Sequence, residues 1–387
     1  MRGHAVLRPP APGVLSPTGR RCHRSRPHVG DAHAGGAMET TEADRGPGTV
    51  REEAFAALRA GFSGELLRPG DDGYDRARRV WNGNVDRRPA LVARCADVAD
   101  VQRALGLAVD QGLVLSVRGG GHSAPGYGTN DGGLVLDLSS FKEVTVDPVA
   151  RTARVGGGVL WRELDARTQA AGLATTGGTV SNTGVAGLTL GGGVGWLMGK
   201  HGLAVDNLLS AEVVTADGAV HHVDREREPD LFWALRGGCG NFGVVTSLEY
   251  RLHPVGEVLG GMVVHSLDRA AEVLRFYRDL CPTLPDEAEA YCGLLTDPQA
   301  GVPVIALLLG YNGAVEEGEA SSGPRASSAA RWSTWSLPCR TWPVSRCSTS
   351  PTPSRACTAT GARPSPRRST TTWSTSWSTR PPGSPPR

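Results

Sequence analysis

The chain has 387 residues, 39% hydrophobic and 21% charged, which suits a soluble globular protein with two or three domains. Its formal charge of +2 conceals an asymmetry. Residues 1–37 hold six Arg and one Asp, residues 320–387 hold ten Arg and no acid, and the body between them carries 25 basic against 38 acidic side chains. A body with a net charge of −13 argues against nucleic acid or an anionic membrane surface as partner.

Further classes are excluded by what the sequence lacks. No run approaches the roughly 20 apolar residues of a membrane span. Of the eight cysteines, Cys22 lies in the leader and Cys339, Cys347 and Cys357 lie in the tail. The other four show no Cys-x-x-Cys and no zinc-like spacing, so a reduced, cytoplasmic setting is expected, with no metal. Arg20-Arg21 is not followed by an apolar stretch, so the leader does not read as an export signal. Met38 opens "METTEADRG", a more natural start, and residues 1–37 are read as a spurious or disordered leader.

Residues 38–85 form an N-terminal segment without a clear pattern. From Ala90 the pattern is regular. "ALVAR" predicts a strand, 97–112 a helix with apolar residues at helical spacing, and "LVLSV" at 113–117 a second strand, together a β-α-β unit. "LVLDLS", "VTVD" and "TARV" continue the β structure. "WRELDARTQAAG" predicts a helix stopped by Gly172, and 208–223 a hairpin around Asp217-Gly218. A helix at 229–237, a glycine loop at 237–243 and a strand at 244–252 follow. Beyond Pro254, a strand at 257–267, a helix at 268–281 and strands at 289–297 and 302–313 suggest a second unit with an antiparallel sheet, ending near Glu319.

The stretch 320–387 is composed largely of Ser, Thr, Pro, Arg, Ala and Trp, and holds five of the nine tryptophans, no acid and no lysine. Disordered segments are poor in aromatics, so a frameshift in a GC-rich gene accounts for it better. "RWSTWS" can be encoded so that the adjacent frame reads Pro-Val-Val-Asp-Leu-Val, which is compatible with that origin.

Glycine carries the chemical signal: 52 residues, nearly twice the usual share of about 7%. Three glycine-rich segments stand out: "RGGGHS" at 118–123, "GVAGLTLGGGVG" at 184–195 and "GGCGNFG" at 237–243. The last matches G-x-G-x-x-G, but a helix precedes it and a strand follows. That is the wrong context for a Rossmann site and disfavours a nicotinamide dehydrogenase. Gly199-Lys200 is followed by His201 and lacks the first glycine of a Walker loop. Gly121-His122-Ser123 is not a nucleophile elbow. Successive backbone N–H groups in glycine loops bind anions, and three such loops beside a histidine, with Arg118 adding charge, point to a phosphate-containing cofactor.

"RGGGHS" at 118–123, "GLTLGGGVGWL" at 187–197 and "DLFWALRGGCGNFGVVTSLEY" at 230–250 resemble the FAD-linked oxidases of the berberine-bridge-enzyme-like group, over roughly residues 75–315. That resemblance implies an α+β fold. A two-subdomain FAD-binding domain of the vanillyl-alcohol-oxidase (PCMH) type would occupy 86–255, and an incomplete antiparallel-sheet substrate domain 256–319. It implies FAD attached through His122, whose imidazole nitrogen is nucleophilic when neutral. Many members add a cysteinyl link ahead of the middle glycine loop. Val180 stands at that position, so a single histidyl bond is expected, and Cys239, where glycine is usual, reads as a small buried residue. FAD contacts carried over by resemblance are Arg118, Gly119, Gly120, Gly121, His122 and Ser123. Thr179, Gly184, Gly187, Gly192, Gly193 and Gly195 follow from the middle segment, and Asn241, Gly243 and Val245 from the last.

The resemblance further implies hydride transfer from an alcohol- or amine-bearing small molecule to the flavin, with reoxidation by dioxygen or another acceptor. The group's C-terminal Tyr-x-Asn segment, which holds its catalytic tyrosine, does not occur, so no catalytic base is assigned. His201, His221 and His222 are the loose candidates. A non-catalytic flavin-binding remnant is the alternative reading, with an unpaired sheet edge prone to aggregation.

Overall fold

The computed structural model describes residues 49–297, 300–314, 317 and two strand fragments at 340–341 and 345–347. The expected leader and most of the stretch read as frameshifted lie outside the described residues.

Among the described residues three larger sheets and one two-stranded sheet organise the chain. The first begins with α1 (Glu52–Gly61), which has acids in its first turn and Arg59 in its last, matching the helix dipole, and which buries Phe55 and Leu58. β1 (Glu65–Leu67), α2 (Tyr74–Ala77), β2 (Leu91–Arg94), α3 (Val98–Gln111), β3 (Leu115–Arg118) and β4 (Leu134–Asp137) follow. The order is β1-β2-β4-β3, with β4 parallel to both of its neighbours and β1 antiparallel to β2.

The helix predicted over 97–112 is α3. The Asp97 carboxylate accepts the Asp100 N–H at 2.8 Å, and Gly112 ends the helix at φ 62°. The second strand of the predicted β-α-β unit starts two residues late, at Leu115, and does not lie beside β2. All four residues of β4 are buried, so this strand takes the centre of the sheet and separates the other two.

The second sheet is built from β5 (Val144–Asp147), β6 (Thr152–Gly156), β8 (Leu208–Val214), β9 (Val220–Asp224) and β10 (Val244–Arg251). It is antiparallel throughout, in the order β5-β6-β10-β8-β9. Between these strands come α4 (Trp161–Gln169), β7 (Leu173–Ala174), α5 (Val185–Leu190), α6 (Met198–His201) and α7 (Pro229–Leu235). Trp161, Leu164, Val185, Phe232 and Leu235 pack on Leu248 and Tyr250 to form its core. The buried Tyr250 hydroxyl is satisfied by Thr189 Oγ1 at 2.7 Å. α4 stops at Gln169 rather than running on to the predicted Gly172, which supplies a left-handed residue (φ 67°) in the turn before β7. The predicted hairpin is β8–β9, with Gly218 at φ 80° in its turn.

The chain then pairs β11 (His253–Pro254) with β7 and enters a third sheet. β12 (Val258–Ser266), α8 (Ala270–Leu280), β13 (Ala288–Thr296) and β14 (Pro303–Tyr311) give the antiparallel order β13-β14-β12. The fragments β15 (Arg340–Thr341) and β16 (Ser345–Cys347) pair with β12. α8 covers one face, placing Val273 against Ile305 and Leu307. The architecture is the expected α+β arrangement. Among the described residues no helix is long and apolar enough to cross a membrane.

Candidate functional site

Ligands of open parallel sheets gather at the carboxyl ends of the strands, and the site lies there. β3 and β4 end together at register partners Arg118 and Asp137. Both side chains are buried and form an ion pair, Arg118 Nη2 to Asp137 Oδ2 at 2.8 Å. Burial pushes the Asp137 carboxyl up, and the Arg118 guanidinium with the Ser139 hydrogen bonds more than offsets this, leaving it below its ordinary value. A second Arg118 nitrogen donates to the Arg79 carbonyl at 3.3 Å. The charge expected from Arg118 is therefore engaged internally, and the pair forms a floor.

Above that floor the chain runs through three glycines. A Cβ on Gly119 would lie 2.7 Å from the Gly157 carbonyl oxygen, and one on Gly120 would lie 2.4 Å from the Gly184 nitrogen. Gly121 holds φ 66°. The glycines thus let backbone press on backbone, locking the first loop against the start of α5. His122 emerges at the end of this run. Its ring stacks on Trp81 (centroids 4.4 Å apart, planes at 21°), and its Nε2 lies 3.0 Å from Asn182 Oδ1. Ser123 Oγ accepts the Tyr127 N–H at 3.2 Å and turns the chain away.

A cleft of about 440 Å³ opens over this loop, with Gly119 to His122 on one side and Arg76, Arg79, Arg94 and Arg162 around it. Arg94 is paired with Glu65 and Asp137, whereas Arg76, Arg79 and Arg162 make no ion pair among the described residues. The result is a side-chain-free backbone floor under an arc of uncommitted guanidinium groups, a setting suited to an anionic ligand with an extended body.

The other expected contacts are placed as follows. Thr179 sits in an exposed bend beside the half-exposed Val180. Gly184 precedes α5, and Gly187 lies within it, facing open space. Gly192 and Gly193 take φ 110° and 82°, and a Cβ on Gly195 would collide with the Gly177 carbonyl oxygen at 1.8 Å. Asn241 donates to the Gly238 carbonyl within a short 3-10 turn, Gly243 has φ 151°, and Val245 belongs to the core. The last loop meets the middle one, since the Gly237 N–H donates to Leu190 O at 3.1 Å. Of the expected contacts, Arg118 and Gly119 to His122 line the cleft, whereas Ser123, Thr179, Gly184, Gly187, Gly192, Gly193, Gly195, Asn241, Gly243 and Val245 lie outside its lining.

The loose histidine candidates are also elsewhere. His201 stacks on His253 at 3.8 Å, His221 bonds to Glu228 and Thr215, and His222 faces Glu212. Cys239 is exposed, not buried as expected.

Sequence reasoning missed Trp81, Asp137, Arg162 and Asn182, all of which line the cleft. Asp137 carried a usable signal, a carboxylate closing a buried strand. Trp81 and Asn182 lie in loops without periodicity and gave none.

Comparison with known proteins agrees with this geometry. Residues 89–224 match the family model described as FAD binding domain. The chain is 43% identical over 203 residues to (R)-6-hydroxynicotine oxidase of Paenarthrobacter nicotinovorans, covering 52% of this chain and 44% of that protein. It is 33% identical over 284 residues to a FAD-linked oxidoreductase of Aspergillus terreus, covering 71% and 57%. Among solved structures, 6-hydroxy-D-nicotine oxidase from Arthrobacter nicotinovorans superposes with a TM-score of 0.67 at 34% identity, covering 74% of this chain and 62% of that one. A glucooligosaccharide oxidase from Acremonium strictum gives 0.66 at 27% identity, covering 76% and 60%. The chain thus spans about half the length of the curated relatives it matches. The bare floor, the guanidinium arc and a ring nitrogen at the cleft mouth fit a flavin dinucleotide.

Proposed function

We propose, from the premise that this chain belongs to the FAD-linked oxidases of the berberine-bridge-enzyme-like group, that it is a cytoplasmic oxidoreductase. Its substrate would be a small molecule bearing an alcohol or amine, and its flavin would be held covalently by His122 alone. Its similarity to an (R)-6-hydroxynicotine oxidase and to a glucooligosaccharide oxidase supports the small-molecule class.

FAD, when bound, supplies a hydride acceptor that is reoxidised by dioxygen or another acceptor. The chain's own residues bind and orient it. Arg76, Arg79 and Arg162 would take the pyrophosphate charge, which lone guanidinium groups do well. The Arg118–Asp137 pair keeps the ends of β3 and β4 in register under the glycine run. The interlock of Gly120 with Gly184 fixes where His122 stands. Thr179 and the glycines of the middle and last loops are proposed to complete the cofactor's surroundings. No residue is assigned as base.

The observation that carries the reading is a histidine ring that lines an arginine-rich cleft together with a run of three glycines. The test is to express the full chain with FAD, precipitate it in acid and look for flavin fluorescence on a denaturing gel. Wild type should keep its yellow colour in the pellet and give a fluorescent band. His122→Ala should bind FAD and release all of it to the supernatant. Flavin released from wild type, or a fluorescent band surviving in the variant, would remove the histidyl link.

A further inference from the structure

The His122 ring is held between two banks of the cleft. On one bank the Asn182 side-chain amide reaches an edge of the ring at 3.0 Å. On the other the Trp81 indole covers a face, with centroids 4.4 Å apart and planes 21° from parallel. Stacking of two flat rings is favourable, and it restrains a torsion that is otherwise broad, the rotation of an imidazole about its bond to Cβ. All three side chains line the cleft, where Trp81 stays half-exposed among guanidinium groups rather than joining a core.

Trp81 owes this place to backbone. It belongs to a strap, residues 78–85, that runs between α2 and β2. The strap is rooted by Arg78, a buried guanidinium bonded to Asp75 at 2.7 Å, to Asp86 and to the Arg87 carbonyl at 3.1 Å. From there it follows the first glycine loop. The Arg79 carbonyl accepts from Arg118 at 3.3 Å, the Trp81 N–H donates to Gly121 O at 3.0 Å, and Asn82 Nδ2 donates to Ala124 O at 2.7 Å. These bonds flank residue 122 on both sides, so the indole is set over the imidazole by contacts that neither ring makes. The strap precedes residues 89–224 and so lies outside the stretch that matches the family model.

We propose that Trp81 is a positioning residue, which holds the plane of the His122 ring so that its uncovered edge is presented to a ligand in the cleft. For the flavin this rests on the covalent reading given above. In that attachment a bond forms between an imidazole nitrogen and a methyl carbon of the flavin ring. One C–H bond of the methyl group and the imidazole N–H break, and the electron pair and two protons leave on dioxygen as hydrogen peroxide. Bond formation depends on near-attack placement of the nitrogen, whereas reversible binding by the guanidinium arc does not. Loss of the indole therefore slows attachment and leaves binding in place.

The test uses the full chain. Before FAD is added, ¹³C-histidine labelling should show the His122 ring protons upfield of free histidine, because they lie over the indole face. The signal is identified by its loss in His122→Ala. Trp81→Leu, which keeps bulk but no flat face, should return these protons to the free position, and Trp81→Phe should restore most of the shift. After mixing with FAD in air, acid-stable flavin should appear about tenfold more slowly in Trp81→Leu, as expected when a reacting group loses its placement, and recover in Trp81→Phe. Dissociable binding is read in the His122→Ala background, where adding Trp81→Leu should leave FAD affinity unchanged.

His122 protons at the free position in wild type would overturn the proposal, and that arm stands even if the leucine variant does not fold. Attachment at the wild-type rate in Trp81→Leu, or no recovery in Trp81→Phe, would do the same. A fall in FAD affinity as large as the fall in attachment rate would make Trp81 a binding residue instead. Flavin that washes out of wild type in acid, with the ring shift intact, would sink the covalent reading and leave the placement of His122 by Trp81 standing.

Discussion

Cys239 holds a left-handed backbone, φ 60°, in a loop where its neighbours Gly237 and Gly243 also sit at positive φ. A side chain in that region costs about 1–2 kcal/mol, whereas glycine there is unstrained but loses more entropy on folding, by about 0.5–1 kcal/mol. Cys239→Gly should therefore raise stability by about 0.5 kcal/mol, and Cys239→Ala, which keeps the strain, should not. Urea denaturation of the two variants side by side measures the difference, and a gain in the alanine variant would show that the thiol rather than the backbone is at fault. Because the thiol plays no part in the proposed attachment, acid-stable flavin should be unchanged in both. Glycine was informative in the sequence for a reason other than the one its pattern suggests. The spacing of 118–123 and 184–195 marks loops that converge, as expected of a phosphate cradle. In the structure Gly120 and Gly184 spend their missing side chains on each other. Sequence reading finds that a close approach is needed, and coordinates are required to say what is approached.

At the scale of elements, α3 is tied to the strands on either side by one carboxylate. Asp100 is fully buried and accepts the N–H groups of Ser63 and Gly64 at 2.9 Å and of Ala96 at 3.0 Å, with Arg103 3.5 Å away. It thereby fixes the entry to β1 and the turn after β2 together. Asp100→Ala would leave three backbone donors without a partner, at about 1–3 kcal/mol each where burial is complete. A loss of at least about 3 kcal/mol in denaturant unfolding is expected, with Asp100→Asn losing less because one oxygen remains. A loss below about 1 kcal/mol would mean that water reaches these donors. The extent of α3 was legible because its apolar residues recur at helical spacing. The tie through Asp100 was not, since an acid in a first turn reads as a response to the helix dipole. The insertion of β4 between β2 and β3 was hidden for a related reason. Strand order depends on which apolar strand is covered on both faces, and the short runs 91–94, 115–118 and 134–137 look alike in isolation.

Over the whole molecule, the stretch just after the middle glycine loop, Trp196 to Lys200, forms a seam between the second and third sheets. Trp196 meets Tyr291 edge-on at 4.8 Å, its carbonyl accepts from Asn312 Nδ2 at 3.1 Å, and Lys200 lies 3.6 Å from Glu287. At the centre of the seam the buried Glu289 accepts the Gly199 N–H at 2.7 Å. The stretch that directly follows the segment assigned to the cofactor from sequence thus carries the unit that would hold the substrate, and a disturbance of one should be felt by the other. Burial raises the Glu289 carboxyl above its ordinary value, and the single N–H bond offsets this only in part. An acid whose pKa is raised on folding favours the native state below its unfolded value, near 4.5, and this contribution is lost as pH rises through the folded value. Above that unfolded value the buried acid therefore favours the native state less than a neutral amide in the same place would. Glu289→Gln keeps the acceptor for Gly199 and removes the charge, so its denaturation midpoint should exceed that of wild type at pH 7. The gap should close as pH falls toward 4, where both side chains are neutral. Glu289→Ala should instead lose about 1–3 kcal/mol at both pH values by leaving the Gly199 N–H unpaired. Parallel urea titrations at the two pH values decide it. A glutamine variant less stable than wild type at pH 7 would mean that the carboxylate is needed as a charge, and would turn attention to Lys200 as the partner that holds the two sheets together.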